Sequence, residues 1–313
     1  MVRAFVFPGQ GAQAVGMGKE LAGAFLAAKH VFQEIDDALE QHLSRLMFKG
    51  PEEDLVLTEN AQPALMAVSM AVLGVLTGES DFDLAAAGKF VAGHSLGEYT
   101  ALTAAGAFRL ADAARILKTR GQAMQAAVPV GEGAMAALLG VELDQAQEFA
   151  AEGAKGGVCT AGNDNAPGQV VISGDTAAVE RTLQIAVDNG AKRSIMLQVS
   201  APFHCALMAP AAEVMAEELA AAEINPPAVP VIANVTAAEV IEPEEIRRLL
   251  IEQVTSLVRW RECVLYMRDN GVDTVVEIGA GKVLTGLSRR IDRDLTGISV
   301  QTPDDLEAFA ATL

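Results

Sequence analysis

Gly93-His94-Ser95-Leu96-Gly97 decides the fold of this chain. The pentapeptide has the form G-x-S-x-G. A short apolar run, Phe90-Val91-Ala92, precedes it, and Glu98-Tyr99-Thr100-Ala101-Leu102, which can open a helix, follows it. A strand that turns sharply into a helix would hold Ser95 on a tight, exposed bend. Small residues on either side let the backbone make that bend without clashes. The first N–H groups of the helix have no intrahelical acceptor and sit at its positive dipole end, which suits a developing oxyanion. In this strand–turn–helix context the pattern predicts a nucleophilic serine.

Upstream of the elbow, Val2–Phe7 reads as a buried strand broken by Pro8-Gly9-Gln10-Gly11. A helical stretch follows from about 19 to 43, a helix start at Pro51-Glu52-Glu53-Asp54, and a buried helix over Asn60–Thr77. Two helices are expected after the elbow, over 98–105 and 112–128. Pro129, Gly131 and Gly133 then mark a linker. Beyond it the predicted order is strand 134–141, helix 144–152, strand 158–161, a turn over 162–168, strand 169–173, helix 176–189 and strand 192–199. This is βαββαβ, the ferredoxin-like order. After Pro202 come a helix over 205–222, a strand over 229–235, helices over 243–255 and 261–270, and strands over 274–278 and 297–300. The expected architecture is a large α/β hydrolase-like domain with a parallel sheet and nucleophile elbow, residues 1–128 and 200–313. A small ferredoxin-like subdomain, residues 129–199, is inserted in it.

The composition fits that architecture and excludes several classes. With 313 residues and 51% hydrophobic side chains the chain can bury a sizeable core. Few aromatics and many small residues suit helices packed closely on a parallel sheet. A net charge of −18 offers no basic field for nucleic acid. An acidic partner could bind only at a local basic patch. Cys159, Cys205 and Cys263 form no metal or disulfide spacing and point to a reducing compartment, the cytoplasm, with no metal site. Val2–Phe7 is too short for a signal-peptide core. Asn60–Thr77 is uncharged but falls short of the ~20 apolar residues of a membrane span. It also carries Asn60, Gln62, Pro63, Ser69 and Gly74, so a buried helix is expected rather than a membrane segment.

A nucleophilic serine needs a general base, and histidine is the usual one near neutral pH. The chain has four. His30 and His42 lie among polar residues and read as surface side chains. His94 adjoins Ser95, and neighbouring side chains in a tight turn diverge. His204, in Val199-Ser200-Ala201-Pro202-Phe203-His204, follows a strand end, where sites collect in α/β folds. It is either the base or a satisfied core or capping histidine. No carboxylate obviously orients it, but a carbonyl can fix a histidine tautomer equally well. The Pro8–Gly11 loop is either a plain glycine-rich turn or the source of a second oxyanion N–H beside that of Leu96. It is not a phosphate loop, because no Gly-Lys-Ser/Thr follows. Arg120 lies on a mostly apolar helix with Ile116, Leu117, Ala123 and Met124. Its planar fork either captures a carboxylate from a ligand or closes an internal salt bridge.

Four segments together resemble the malonyl-CoA:acyl carrier protein transacylase family. They are Phe7-Pro8-Gly9-Gln10-Gly11-Ala12-Gln13, Gly93-His94-Ser95-Leu96-Gly97-Glu98, Gln169-Val170-Val171-Ile172-Ser173-Gly174 and Glu277-Ile278-Gly279-Ala280-Gly281-Lys282-Val283-Leu284. Ala201-Pro202-Phe203-His204 adds a fifth, and together they span nearly the whole chain in the family's order. The resemblance implies Ser95 as nucleophile and His204 as its base and later acid. It implies the backbone N–H groups of Gln10 and Leu96 as the oxyanion hole, and Arg120 as partner of the malonyl carboxylate. Gln253 would support His204 through a carbonyl in place of the usual aspartate. The Pro202-Phe203-His204 form favours malonyl over branched extender units in related synthase domains. Ala12 departs from members that carry serine there.

The implied reaction takes malonyl-CoA as donor and the phosphopantetheine thiol of acyl carrier protein as acceptor. No bound cofactor is implied, a monomer is expected, and type II fatty-acid synthesis is the implied setting. A neutral acyl group would leave Arg120 buried and unpaired, at a cost of about 3–5 kcal/mol. Lys192-Arg193 and Arg289-Arg290 are the candidate docking patches for an acidic carrier. A water-using serine hydrolase, a transacylase for another acyl-CoA and a non-catalytic carrier-binding scaffold are the competing readings.

Overall fold

The computed structural model describes every residue except 81, 198 and 200. Two sheets organise the chain. The larger has six strands: β1 (Arg3–Phe7), β2 (Gly88–Gly93), β7 (Val231–Ile232), β8 (Glu239–Val240), β9 (Thr274–Ile278) and β10 (Thr296–Val300). Their order is β10-β9-β1-β2-β7-β8, parallel throughout except for the last antiparallel pair. The second sheet is antiparallel, with β3 (Gly133–Leu139), β4 (Cys159–Ala166), β5 (Gln169–Asp175) and β6 (Arg193–Met196) in the order β4-β5-β3-β6. With two helices, Leu143–Ala154 and Thr176–Asp188, it forms the ferredoxin-like unit that the βαββαβ order predicts.

The large sheet is covered on both faces, which is why its central strands read as continuous apolar runs. Side chains alternate along a strand. Phe5 and Phe7 of β1 and Val91 of β2 join the larger core cluster, while Ala4 and Val6 of β1 and Phe90 and Ala92 of β2 join the second. The helix Thr58–Glu79 crosses the larger cluster and is buried along most of its length. It is long and apolar enough to cross a membrane, but its surface is spent on this core.

Several boundaries differ from expectation. The stretch 19–43 is interrupted: one helix spans Lys19–Ala24, Phe25 is extended, the next helix spans Leu26–Leu39, and Glu40 turns left-handed. The segment 162–168 is not a seven-residue turn. β4 runs on to Ala166, and only Pro167-Gly168 turn. Tertiary pairing overrides turn propensity there: Asp164 donates its N–H to the Val258 carbonyl at 2.9 Å and pairs with Arg261 Nε at 2.9 Å. The strand expected over 229–235 shrinks to β7, and the one over 192–199 to β6. Gln198, within the second of those expected strands, and Ser200, in the stretch leading to His204, lie outside the described residues. The stretch 205–222 begins as a 3-10 turn, Ala206–Met208, before its α-helix, Ala209–Ala221.

The C-terminal ends of β1, β2 and β7 lie side by side, in register Phe7↔Gly93 and Ala92↔Ile232. Loops leaving that edge carry Gln10, Ser95 and Asn234. In open α/β sheets this edge is where ligands bind.

Candidate active site

β2 ends at Gly93 and the helix Leu96–Ala104 begins one residue after Ser95. Ser95 therefore occupies a turn with φ 54° and ψ −107°, a backbone state that L side chains rarely adopt. Two glycines make the turn possible by close approach. A Cβ on Gly93 would lie 1.9 Å from the Gly97 carbonyl, and one on Gly97 2.2 Å from the Phe7 oxygen. The His94 N–H donates to that same Phe7 oxygen at 3.1 Å. The loop after β1 is thus pressed against the elbow.

Ser95 Oγ lies 2.8 Å from His204 Nε2. His204 Nδ1 lies 2.9 Å from the main-chain oxygen of Gln253. A carbonyl can only accept, so Nδ1 carries the proton and Nε2 is left to accept from the serine hydroxyl. No carboxylate among the described residues takes part; the carbonyl fixes the tautomer. Burial, and then the Arg120 cation, push the His204 imidazole down to about 3, so it stays neutral across the ordinary pH range.

Arg120 is 1% exposed, on the helix Leu110–Ala126. Nη1 donates to Gln62 Oε1 at 2.8 Å, and Nη2 to Gln253 Oε1 at 2.9 Å and to Ser95 Oγ at 3.1 Å. Its guanidinium carbon sits 5.4 Å from the Tyr99 ring centroid. These partners are neutral, so the internal salt bridge left open by the sequence is not what holds Arg120. The expected penalty for a neutral acyl group also shrinks. With two amide oxygens and a hydroxyl already in contact, the cation is never wholly unpartnered.

The N–H groups of Gln10 and Leu96 donate to no acceptor among the described residues. Both residues line one cleft of about 500 Å³ together with Ser95, His204, Arg120 and Gln62. His30 and His42 are exposed. His94 turns to Asn165, Nε2 to Oδ1 at 2.8 Å, rather than to the serine chemistry. Lys192 and Arg193 are exposed at the start of edge strand β6. Arg289 and Arg290 are exposed at the end of the helix Val283–Ile291, where cations also suit the helix dipole. Arg290 Nη1 donates to Gln169 Oε1 at 2.6 Å, joining that helix to β5.

The sequence reading missed three polar residues at this site. Asn234, after β7, accepts from Ser95 N–H through Oδ1 at 2.8 Å and donates from Nδ2 to the Gly93 oxygen at 2.7 Å. Both main-chain groups belong to the strained turn. Glu98 is 2% exposed; its Oε2 accepts from Asn234 N–H at 2.9 Å and from Gln253 Nε2 at 2.8 Å. Burial raises the Glu98 carboxyl to about 7, against the lowering effect of those donors and of Arg120. Gln62 is the third. A strand-end asparagine, an acid in the first turn after the elbow and an amide inside an apolar helix were the available signals.

The arrangement can take a proton from a serine hydroxyl, stabilise an oxyanion and hold an anion beside the acyl group. Residues 4–301 match the acyl transferase domain family. A malonyl CoA-acyl carrier protein transacylase of Bacillus subtilis is 48% identical, over 99% of this chain and 96% of that one. The crystal structure of an acyl-carrier-protein S-malonyltransferase from Bartonella henselae is 52% identical with a TM-score of 0.97, covering 100% of this chain and 99% of its own. A malonyl-transacylase in complex with a type II polyketide synthase acyl-carrier protein is 40% identical, with a TM-score of 0.97 and full coverage of both chains. The chain belongs to the acyl transferase domain family, among its malonyl CoA-acyl carrier protein transacylases.

Proposed function

We infer that this chain moves a malonyl group from malonyl-CoA to the phosphopantetheine thiol of acyl carrier protein, through a seryl ester, for fatty-acid synthesis. The observation that carries the reading is an anion receptor beside a nucleophile: Arg120 Nη2 is 3.1 Å from Ser95 Oγ. An acyl group with a free carboxylate suits both contacts at once.

Ser95 Oγ gives its proton to His204 Nε2 and attacks the thioester carbon. The oxyanion accepts from the N–H groups of Gln10 and Leu96. Collapse breaks the carbon–sulfur bond, and the leaving thiolate of CoA takes the proton from His204. The carrier thiol then enters, gives its proton to His204 and attacks the ester, and Ser95 leaves with that proton. Every step is an acyl or proton transfer, so the chemistry calls on no bound cofactor; the phosphopantetheine arrives on the carrier. Holding malonate on Arg120 keeps the ester aligned for the thiol rather than for water.

The chain acts as a monomer in the cytoplasm, touching neither nucleic acid nor membrane. Its small subdomain extends over residues 129–199, and the large catalytic domain is built from 1–128 and 200–313. Carrier docking is assigned to Lys192-Arg193 and Arg289-Arg290, because both pairs are exposed cations on a strongly acidic chain. Reversing charge at Arg289 and Arg290 is expected to raise the carrier's KM about tenfold and leave that for malonyl-CoA unchanged. Equal KM values for the carrier would remove the patch from the account.

The function itself is tested by acceptor dependence. The malonylated chain, isolated from CoA, is mixed with phosphopantetheinylated carrier or with buffer. Transfer predicts malonyl-carrier within seconds and slow loss in buffer. Equal loss in both would identify a hydrolase.

A further inference from the structure

Arg120 and Glu98 are both sealed from solvent, and their hydrogen bonds go to neutral groups. One carboxamide joins them. Gln253 donates from Nε2 to Glu98 Oε2 at 2.8 Å and accepts at Oε1 from Arg120 Nη2 at 2.9 Å. The same Nε2 lies 3.1 Å from the Ser95 oxygen and 3.3 Å from Asn234 Oδ1, so the amide is locked in orientation. With Glu98 ionised, the site's own residues supply one cation and one anion separated by a single amide. A malonyl group brings a second carboxylate to the same cation.

We propose that Glu98 makes malonyl binding depend on pH: its carboxylate is the resident counter-charge of Arg120, relayed through Gln253, and takes up a proton when the malonyl carboxylate arrives. The proposal rests on the reading of Arg120 as the malonate receptor. Two like charges near one buried cation repel more strongly than in water, since the site's effective dielectric is lower. Protonating Glu98 removes that repulsion and leaves Arg120 to the substrate.

The charged and titratable groups around Glu98 leave it as the one that titrates near neutrality. Arg120 faces it from the helix Leu110–Ala126 and Cys263 from the helix Trp260–Asp269; Tyr99 is its neighbour on its own helix. Burial lifts the Cys263 thiol well above its usual range and Tyr99 up to about 12. His204, which shares Ser95 Oγ with Arg120, is pushed down to about 3 by burial and by that cation, and the other site histidine, His94, is also lowered. Burial brings Glu98 up to about 7. The sign follows. Rising pH ionises Glu98, adds negative charge beside the malonate position and weakens binding.

The test is the KM for malonyl-pantetheine, which lacks the titrating phosphates of CoA, measured from pH 6 to 8.5 in wild type and Glu98→Gln. Glutamine keeps an acceptor oxygen for Gln253 and Asn234 but carries no charge. In the wild type KM is expected to rise about three- to tenfold over that range, the size of a like-charge repulsion across a few ångström of protein. In Glu98→Gln it should stay flat. A purely structural role would lower kcat or thermal stability and leave the slope of KM with pH intact. Equal slopes in the two proteins overturn the proposal.

Proton uptake during acylation of the wild type by malonyl-pantetheine, followed with an indicator dye, decides the matter even if the variant does not fold. Uptake centred near pH 7 supports Glu98. No uptake, or uptake centred below pH 5 as His204 would give, overturns it. Failure to acylate at all would instead refute the malonyl reading itself.

Discussion

Replacing Ser95 by Ala is expected to lower malonyl transfer by about ten-thousandfold or more, the loss typical when a covalent nucleophile is removed and only binding and the oxyanion hole remain. The variant should still fold. Alanine keeps the Cβ that the elbow already accommodates, and the clamp on the turn comes from main-chain groups: Asn234 holds Ser95 N–H and the Gly93 oxygen. Binding of malonyl-CoA should persist, because Arg120 loses its contact with the hydroxyl but keeps those to Gln62 and Gln253. Steady-state transfer and a thermal melt check the two halves together. Transfer within tenfold of wild type in a folded protein would remove Ser95 from the mechanism.

Replacing Arg120 by Ala should cost about a hundred- to thousandfold in kcat/KM for malonyl-CoA, the worth of a buried, charge-assisted contact to a carboxylate. Acetyl-CoA, which brings no carboxylate, should be used as well as before or better. The ratio of the two is the diagnostic quantity, since general damage would lower both alike. A pH shift accompanies it. Burial is the larger cause of the low His204 value, and the Arg120 cation adds to it. Removing the cation makes the imidazolium less unfavourable, so the His204 pKa rises. The acid limb of kcat/KM should therefore move to higher pH. An unchanged malonyl-to-acetyl ratio would mean that Arg120 does not hold the acyl group.

Much of this was legible in the chain because the local signals agreed with the global fold. The apolar runs before Pro8 and Gly93 are strands buried on both faces, and their period-2 split between two core clusters needs no long-range information. The elbow announces itself because only small residues at 93 and 97 permit the bend. Other parts depended on partners distant in sequence. β7 and β8 have two residues each and exist only through pairing with β2 and with each other. The helices Val283–Ile291 and Pro303–Ala310 are short and were not anticipated. Residues 162–166 carry turn-forming glycine, asparagine and aspartate, yet are held as a strand by β5 and by Val258.

The site divides in the same way. Ser95 could be singled out because its chemistry and its place at the end of β2 coincide; His204 was found through its chemistry, since the strand before it, β6, ends at Met196 and belongs to the antiparallel sheet. The role of Gln253 came from resemblance alone, and the structure gives it two distinct tasks: its main-chain oxygen faces His204, and its side chain joins Arg120 to Glu98. Asn234 and Glu98 offered only their positions, at a strand end and in the first turn after the elbow, because their partners are main-chain groups and amides from other segments, and such contacts leave no spacing to read.

The central claim is a malonyl ester on Ser95, and intact mass tests it most directly. Wild type and Ser95→Ala are each mixed briefly with malonyl-CoA, quenched and weighed, with released CoA assayed in parallel. The account predicts one added malonyl group on the wild type, none on the variant, and one CoA released per adduct. An adduct of equal extent on both proteins, or turnover to malonyl-carrier with no adduct on the wild type at any quench time, would contradict it.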